Sequence, residues 1–153
     1  MPGILVGVDG STKSREALRT AAKMARALRA GLHVAWVAPQ VEALGLRDFP
    51  AALRDWNREN EERGRAMLRE MVDSELHPFG DPDVEGEPLT TTPPGIEVLR
   101  GSPAEQLRRR AERDDIDLVV VGAQGRGAAA RVLLGSVADR LARTSPKPLL
   151  ICR

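Results

Sequence analysis

Leu118-Val-Val-Val121-Gly122-Ala-Gln-Gly125-Arg126-Gly127-Ala-Ala-Ala-Arg131-Val-Leu-Leu-Gly135-Ser136-Val137 is the stretch on which the reading of this chain turns. Leu118 to Val121 is an uninterrupted apolar run, as in a strand buried on both faces. Val137 to Thr144 is amphipathic and reads as a helix. The segment between them is therefore a glycine-rich loop joining a buried strand to a helix. Such loops hold anions in α/β proteins. Glycines let backbone N–H groups close on an oxyanion, and the next helix adds unpaired N–H groups and a partial positive charge.

The chain before this loop repeats the same strand-to-helix unit. Ile4-Leu-Val-Gly-Val8 is a short apolar run broken by Asp9-Gly10-Ser11-Thr12, where Ser11 or Thr12 can cap a helix. Ala17, Leu18, Ala21, Ala22, Ala25 and Leu28 give that helix an apolar face, and Gly31 is the expected C-terminal cap. Leu32-His-Val-Ala-Trp-Val37 is a second strand. Asp48 to Leu76 reads as a longer helix with Phe49, Ala52, Leu53, Trp56, Met67, Leu68, Met71 and Val72 inward. His77 to Gly95 carries Pro78, Pro82, Pro88, Pro93 and Pro94, the composition of a surface crossover loop. Ile96 to Arg100 is a third strand. In Gly101-Ser102-Pro103-Ala-Glu105, Ser102 is the expected N-cap, Pro103 the first helical residue and Glu105 the partner in a capping box. Ala104, Leu107 and Ala111 form its buried stripe. Leu149-Leu-Ile-Cys152 closes the pattern as a fifth strand.

Helices alternating with buried strands imply a parallel sheet covered on both sides: an α/β fold, an open doubly wound five-stranded sheet forming a single domain over residues 1–153. Ligands in such sheets bind beyond the carboxyl ends of the strands, where the strand order reverses. With the order 3-2-1-4-5, the ends of strands one and four are neighbours, and Asp9 faces the glycine loop across one crevice.

Two familiar nucleotide motifs do not fit the loop. Gly122 and Gly127 have P-loop spacing, but Ala128-Ala129 stands where the Lys-Ser/Thr pair is required. A dinucleotide fingerprint read from Gly125-Arg-Gly127-Ala-Ala-Ala130 sits too late, since it should open an early unit with an acidic residue about 20 positions on.

The spacing Gly122-x2-Gly125-x9-Gly135-Ser136 resembles the nucleotide motif of the universal stress protein family, in its ATP-binding branch. The likeness extends over nearly the whole chain, through Ile4-Leu-Val-Gly-Val-Asp9-Gly-Ser11, Gly101-Ser-Pro-Ala-Glu105, Leu134-Gly-Ser-Val137 and Pro148-Leu-Leu-Ile151. The resemblance implies the five-stranded sheet described above and a bound adenine nucleotide, ATP with Mg²⁺. It implies that Asp9 lies beside the adenosine moiety, with Val8 on the same wall. Val37 would meet adenine through its backbone, and Gly122 would lie near the ribose. Gly125 and Arg126 would offer N–H groups to phosphate, while Gly135, Ser136 and Val137 would hold the terminal phosphates.

Composition narrows the alternatives. With 23 basic and 22 acidic residues the formal charge is +1, unlike the strongly basic balance of a general nucleic-acid binder. Only Lys13, Lys23 and Lys147 are lysines, so side-chain anion contacts would come from arginines such as Arg126 and Arg131. The single cysteine, Cys152, forms no intrachain disulfide and fits a reducing compartment. No signal-peptide pattern and no apolar run approaching the ~20 residues of a membrane span is present, so a cytoplasmic protein without membrane partners is expected. His33, inside a strand, is expected to be structural, and Trp36 and Trp56 to be core or interface anchors.

Three functions follow. The first is an ATP-binding stress-response regulator acting on an unidentified protein partner. The second is a slow ATPase or phosphotransferase, disfavoured because no histidine, aspartate or glutamate lies between Gly122 and Ser136 and Asp139 should face solvent. The third is a homodimerisation scaffold paired through the edge strand Leu149–Cys152, with nucleotide secondary.

Overall fold

The computed structural model describes residues 2–38, 50–76, 93–125 and 134–153. The strands are β1 (Gly3–Gly7), β2 (Gly31–Ala38), β3 (Gly95–Arg100), β4 (Leu118–Gly122) and β5 (Leu149–Cys152). Between them lie the helices α1 (Thr12–Leu28), α2 (Pro50–Leu76), α3 (Pro103–Ala111) and α4 (Ser136–Thr144). All four strand pairings are parallel, and the sheet order is β3-β2-β1-β4-β5. The order read from the sequence is therefore the order of the molecule.

Because successive residues of a strand point to opposite faces, each apolar run feeds two cores. Ile4, Val6, Leu32, Val34 and Val120 pack with the alanine face of α1 and with Leu68 and Met71 of α2. Leu5, Ala35, Val37, Val119 and Val121 pack on the other side with Ala104 and Leu107 of α3 and Ala138 and Leu141 of α4.

Several local features differ from those the sequence predicts. Helix α1 is capped by Ser11, whose hydroxyl accepts from the Ser14 N–H at 3.2 Å. Its far end closes through Arg29, in the left-handed region at φ 51°, and not through Gly31, which already belongs to β2. The residue after Leu28 must turn so that Gly31 N–H can reach the Pro2 carbonyl at 2.9 Å, and Leu28 is left 57% exposed, off the core face. In α3, Ser102 and Pro103 occupy the expected cap positions, but Ser102 makes no side-chain cap bond. Glu105 instead bonds Arg108 and Arg109, whose hydrogen bonds hold its carboxyl down to about 2, so no capping box forms.

In α2 the inward face is shorter than expected. From Ala51 to Arg63 no residue is buried, and Trp56 is 43% exposed. The buried stripe begins at Gly64 and continues through Leu68 and Met71. A Cβ at Gly64 would sit 2.1 Å from the Trp36 ring, so the missing side chain is what lets the indole of β2 seat against the helix. Phe49 and Asp48, expected at the start of this helix, and most of the proline-rich segment, residues 77–92, lie outside the described residues.

His33 is structural, as expected. It belongs to a charged cluster between β2, β3 and α3. The Arg110 guanidinium, 6% exposed, donates to Glu97 at 2.7 and 2.8 Å and to Asp115 at 2.9 Å, while His33 Nδ1 lies 3.2 Å from Glu97. Hydrogen bonds from Arg110 hold both carboxyls below their usual range, and those of Glu97 raise the guanidinium.

Candidate functional site

Strand order reverses between β1 and β4, because β1 is followed through α1 to β2 on one side while β4 leads through α4 to β5 on the other. A cavity of about 450 Å³ opens there, beyond the carboxyl ends of β1, β2 and β4. That volume lies within the usual range for a small-molecule site. Val8, Asp9, Val37, Gly122, Gly125, Gly135, Ser136 and Val137, named from the sequence, all line it. Arg126 and Arg131 lie outside the described residues.

The inner end of the crevice is apolar. Val8, Ala35, Val37 and Val121 come from the strands, and Pro103 and Leu107 come from the first turns of α3. Main-chain groups supply polarity there. The β1–β2 ladder ends with Gly7 opposite Ala35 and the Val8 N–H donating to the Ala35 carbonyl at 2.9 Å. Peptide groups on a strand alternate in direction, so Val37, two residues on, presents its N–H and C=O toward the same side, where β1 has already ended. Ala38 faces the other way, accepting from Gly101 N–H at 3.0 Å. The result is an adjacent donor and acceptor at the edge of an apolar slot.

The opposite end belongs to α4. Gly135 is its N-cap, and the first bond within the helix runs from Asp139 N–H to the Gly135 carbonyl at 2.9 Å. The N–H groups of Ser136, Val137 and Ala138 therefore have no acceptor within the helix. They give this end of the crevice a donor surface with partial positive charge. The loop after β4 is held against it, since Gly135 N–H donates to Ala123 C=O and Ala123 N–H donates to Cys152 C=O, both at 2.6 Å.

The glycines have a role in shaping this wall that the sequence did not reveal. A Cβ on Gly122 would stand 2.9 Å from the Lys13 carbonyl group, and one on Gly125 would stand 2.6 Å from Asp9 Oδ2. Gly135 is tight against the Ala123 carbonyl in the same way, at 3.2 Å. Their missing side chains let the first turn of α1, the Asp9 carboxylate and the β4 loop approach one another. Asp9 Oδ1 accepts from Ser11 N–H at 2.9 Å, so the same aspartate ends β1, organises the α1 cap and faces the crevice.

Sequence reading missed Pro103, Leu107, Gln124 and Ser14 as lining residues. Pro103 is the first residue of α3 and Leu107 is core, as the sequence predicts, and both are also crevice wall. Ser14 carried a signal in its three-residue spacing from Ser11, which places it in the first helical turn. Cys152 is half-buried, and burial pushes its thiol pKa up, which leaves it a poor nucleophile. Among the described residues no group of three or more His, Cys, Asp or Glu side chains could hold a metal ion, and no helix is long and apolar enough to cross a membrane.

Comparison with known proteins agrees with this architecture. A universal stress protein from Lactobacillus plantarum superposes with a TM-score of 0.79 over 99% of this chain and 97% of its own, at 22% identity. A universal stress protein crystallised in complex with cAMP matches with a TM-score of 0.70 at 28% identity, covering 99% and 97% of the two chains. In sequence, a universal stress protein of Thermus aquaticus is 30% identical over 152 residues, covering 98% of this chain and 97% of its own. One from Mycolicibacterium smegmatis is 33% identical over 155 residues, and there the chain spans only 45% of the relative's length. The model of the universal stress protein family matches residues 2–153. This chain is a member of the universal stress protein family.

Proposed function

We propose that this chain is an ATP-binding regulatory module. The observation that carries this reading is the polarity of one crevice: an apolar slot edged by the Val37 peptide at one end and the open N–H groups of α4 at the other. Adenine has an apolar face and an edge on which a donor and an acceptor sit side by side, which suits the slot. Phosphate suits a helix N-terminus. Val8, Asp9 and Val37 then surround the nucleoside, Gly122 and Gly125 form the wall beside it, and Gly135, Ser136 and Val137 take the phosphates. A relative at 28% identity with cAMP in its crystal supports an adenine ligand. Among the described residues no cluster of acidic or histidine side chains forms a metal cage, and on this reading Mg²⁺ travels with the phosphates. Binding would change what a partner protein meets at the mouth of the crevice, within a single cytoplasmic domain.

Turnover is not part of this reading. Asp139, the nearest carboxylate in α4, is ion-paired to Arg143 at 3.0 Å and points along the helix surface. The test is calorimetry with ATP and Mg²⁺, together with mass analysis of purified protein for retained nucleotide. Ser136→Asp should leave the helix intact, since an acidic residue suits its first turn, and should abolish binding by charge repulsion. No binding at millimolar ATP refutes the proposal.

A second reading is favoured by β5. Among the described residues it pairs only with β4, and Leu149, Leu150, Ile151 and Cys152 are all half-buried, leaving a partly apolar edge. A second copy pairing along this edge would cover it. Sedimentation at low micromolar concentration tests for that homodimer, and a soluble monomer there counts against it.

A further inference from the structure

Among the described residues, Ser14 and Arg110 are the two polar side chains that are buried. Arg110 is consumed by its ion pairs. Ser14 is 3% exposed and lines the crevice from the first turn of α1. That turn is pressed against the end of β4, as the 2.9 Å approach of a Gly122 Cβ to the Lys13 carbonyl shows, so Ser14 joins the crevice wall beside Gly122.

Its chemistry there is one-sided. The hydroxyl hydrogen is committed, because Ser14 Oγ donates to the Ser11 carbonyl at 2.9 Å. What Oγ has left to offer is lone pairs. Asp9 lines the same crevice, and its Oδ1 accepts from the Ser11 N–H at 2.9 Å. An acceptor at this place repels phosphate oxygens, which only accept, and suits hydroxyl groups, which donate. The crevice thus combines the Val37 peptide, an acceptor from Ser14 beside the end of β4, and the donor surface of α4.

We propose that Ser14 is a specificity-determining residue that accepts a hydrogen bond from a ribose hydroxyl of the bound nucleotide, selecting ribonucleotides over deoxyribonucleotides. The inference rests on the nucleotide reading of the crevice.

Calorimetric titration of the wild-type protein and of Ser14→Ala with ATP, 2′-deoxy-ATP and 3′-deoxy-ATP tests it, with thermal unfolding of both unliganded proteins to establish that they fold. The wild type should bind ATP on the order of fivefold more tightly than the weaker deoxy analogue, the worth of one hydrogen bond. In Ser14→Ala that ratio should collapse to roughly one, through loss of ATP affinity alone. A purely structural role gives a different result, because loosening the first turn of α1 weakens all three ligands equally and leaves the ratio intact. An unchanged ratio overturns the proposal, as does a wild type that binds ATP without discriminating. A wild type that binds none of the three overturns the nucleotide reading, and the role of Ser14 falls with it.

Discussion

Arg29 is the non-glycine residue with positive φ among those described, at 51°. An L-residue pays about 1–2 kcal/mol for that conformation, and glycine does not. Arg29→Gly should therefore raise stability by about 0.5–1 kcal/mol after its greater unfolded-state entropy is counted, as read by denaturant titration. Gly122 behaves in the opposite sense. Its missing side chain is filled by main chain of α1, which cannot rotate away, so Gly122→Val should cost about 2 kcal/mol or more through overpacking. A variant at Gly122 consequently tests the fold before it tests any ligand. Ser136, exposed at the start of α4, is the cleaner position. These two sites show how far residue reading reaches. Glycines at a strand end were legible as special, but whether the vacated space is kept for a ligand or for Lys13 and Asp9 depends on neighbours more than a hundred positions away.

At the scale of elements, strands were legible as short apolar runs, buried on both sides in β1 and β4 and half-buried in the edge strands β3 and β5, and α1 was legible because its alanines recur on one face. The first half of α2 was not. Ala52, Leu53 and Trp56 have the periodicity of a buried face, yet the buried stripe of the helix begins only at Gly64, and a helix that outruns its core contact leaves apolar residues uncovered. The capping box failed for a related reason, since Glu105 had two arginines on the following turn competing for it. The cluster joining β2, β3 and α3 was invisible as a unit because His33, Glu97, Arg110 and Asp115 are scattered along the chain. Removing its buried cation leaves two carboxylates facing each other, so Arg110→Met should cost about 3 kcal/mol at neutral pH. The cluster also carries a pH signature. Glu97 and Asp115 are held below their ordinary values, so near pH 4 the unfolded chain binds more protons than the folded one. Their stabilisation is complete above about pH 5 and disappears as pH falls through the lowered folded values. Glu97→Gln should flatten the acid limb of the stability curve measured between those limits.

For the molecule as a whole, the order β3-β2-β1-β4-β5 is the feature that matters, because it brings the end of β1 and the end of β4 to one crevice. That order was legible in the sequence from the alternation of strands and helices, and eight of the nine residues named from the sequence line the crevice it creates. The walls contributed by α3 and by Ser14 were not, because nothing in their local pattern separates a crevice residue from a core residue. If the crevice holds a nucleotide, folding and binding are linked. ATP at a hundred times its dissociation constant should add about 2.7 kcal/mol to the unfolding free energy, seen as a rise in the melting temperature that grows with ligand concentration. The most direct measurement of the central claim is calorimetric titration of the full chain with ATP and Mg²⁺ beside the same titration of Ser136→Asp. The account predicts saturable one-to-one binding in the wild type that is lost in a variant whose unliganded melting temperature is unchanged or higher. Wild-type protein that shows no heat of binding at millimolar ATP, or a Ser136→Asp variant that binds as well as wild type, would contradict it.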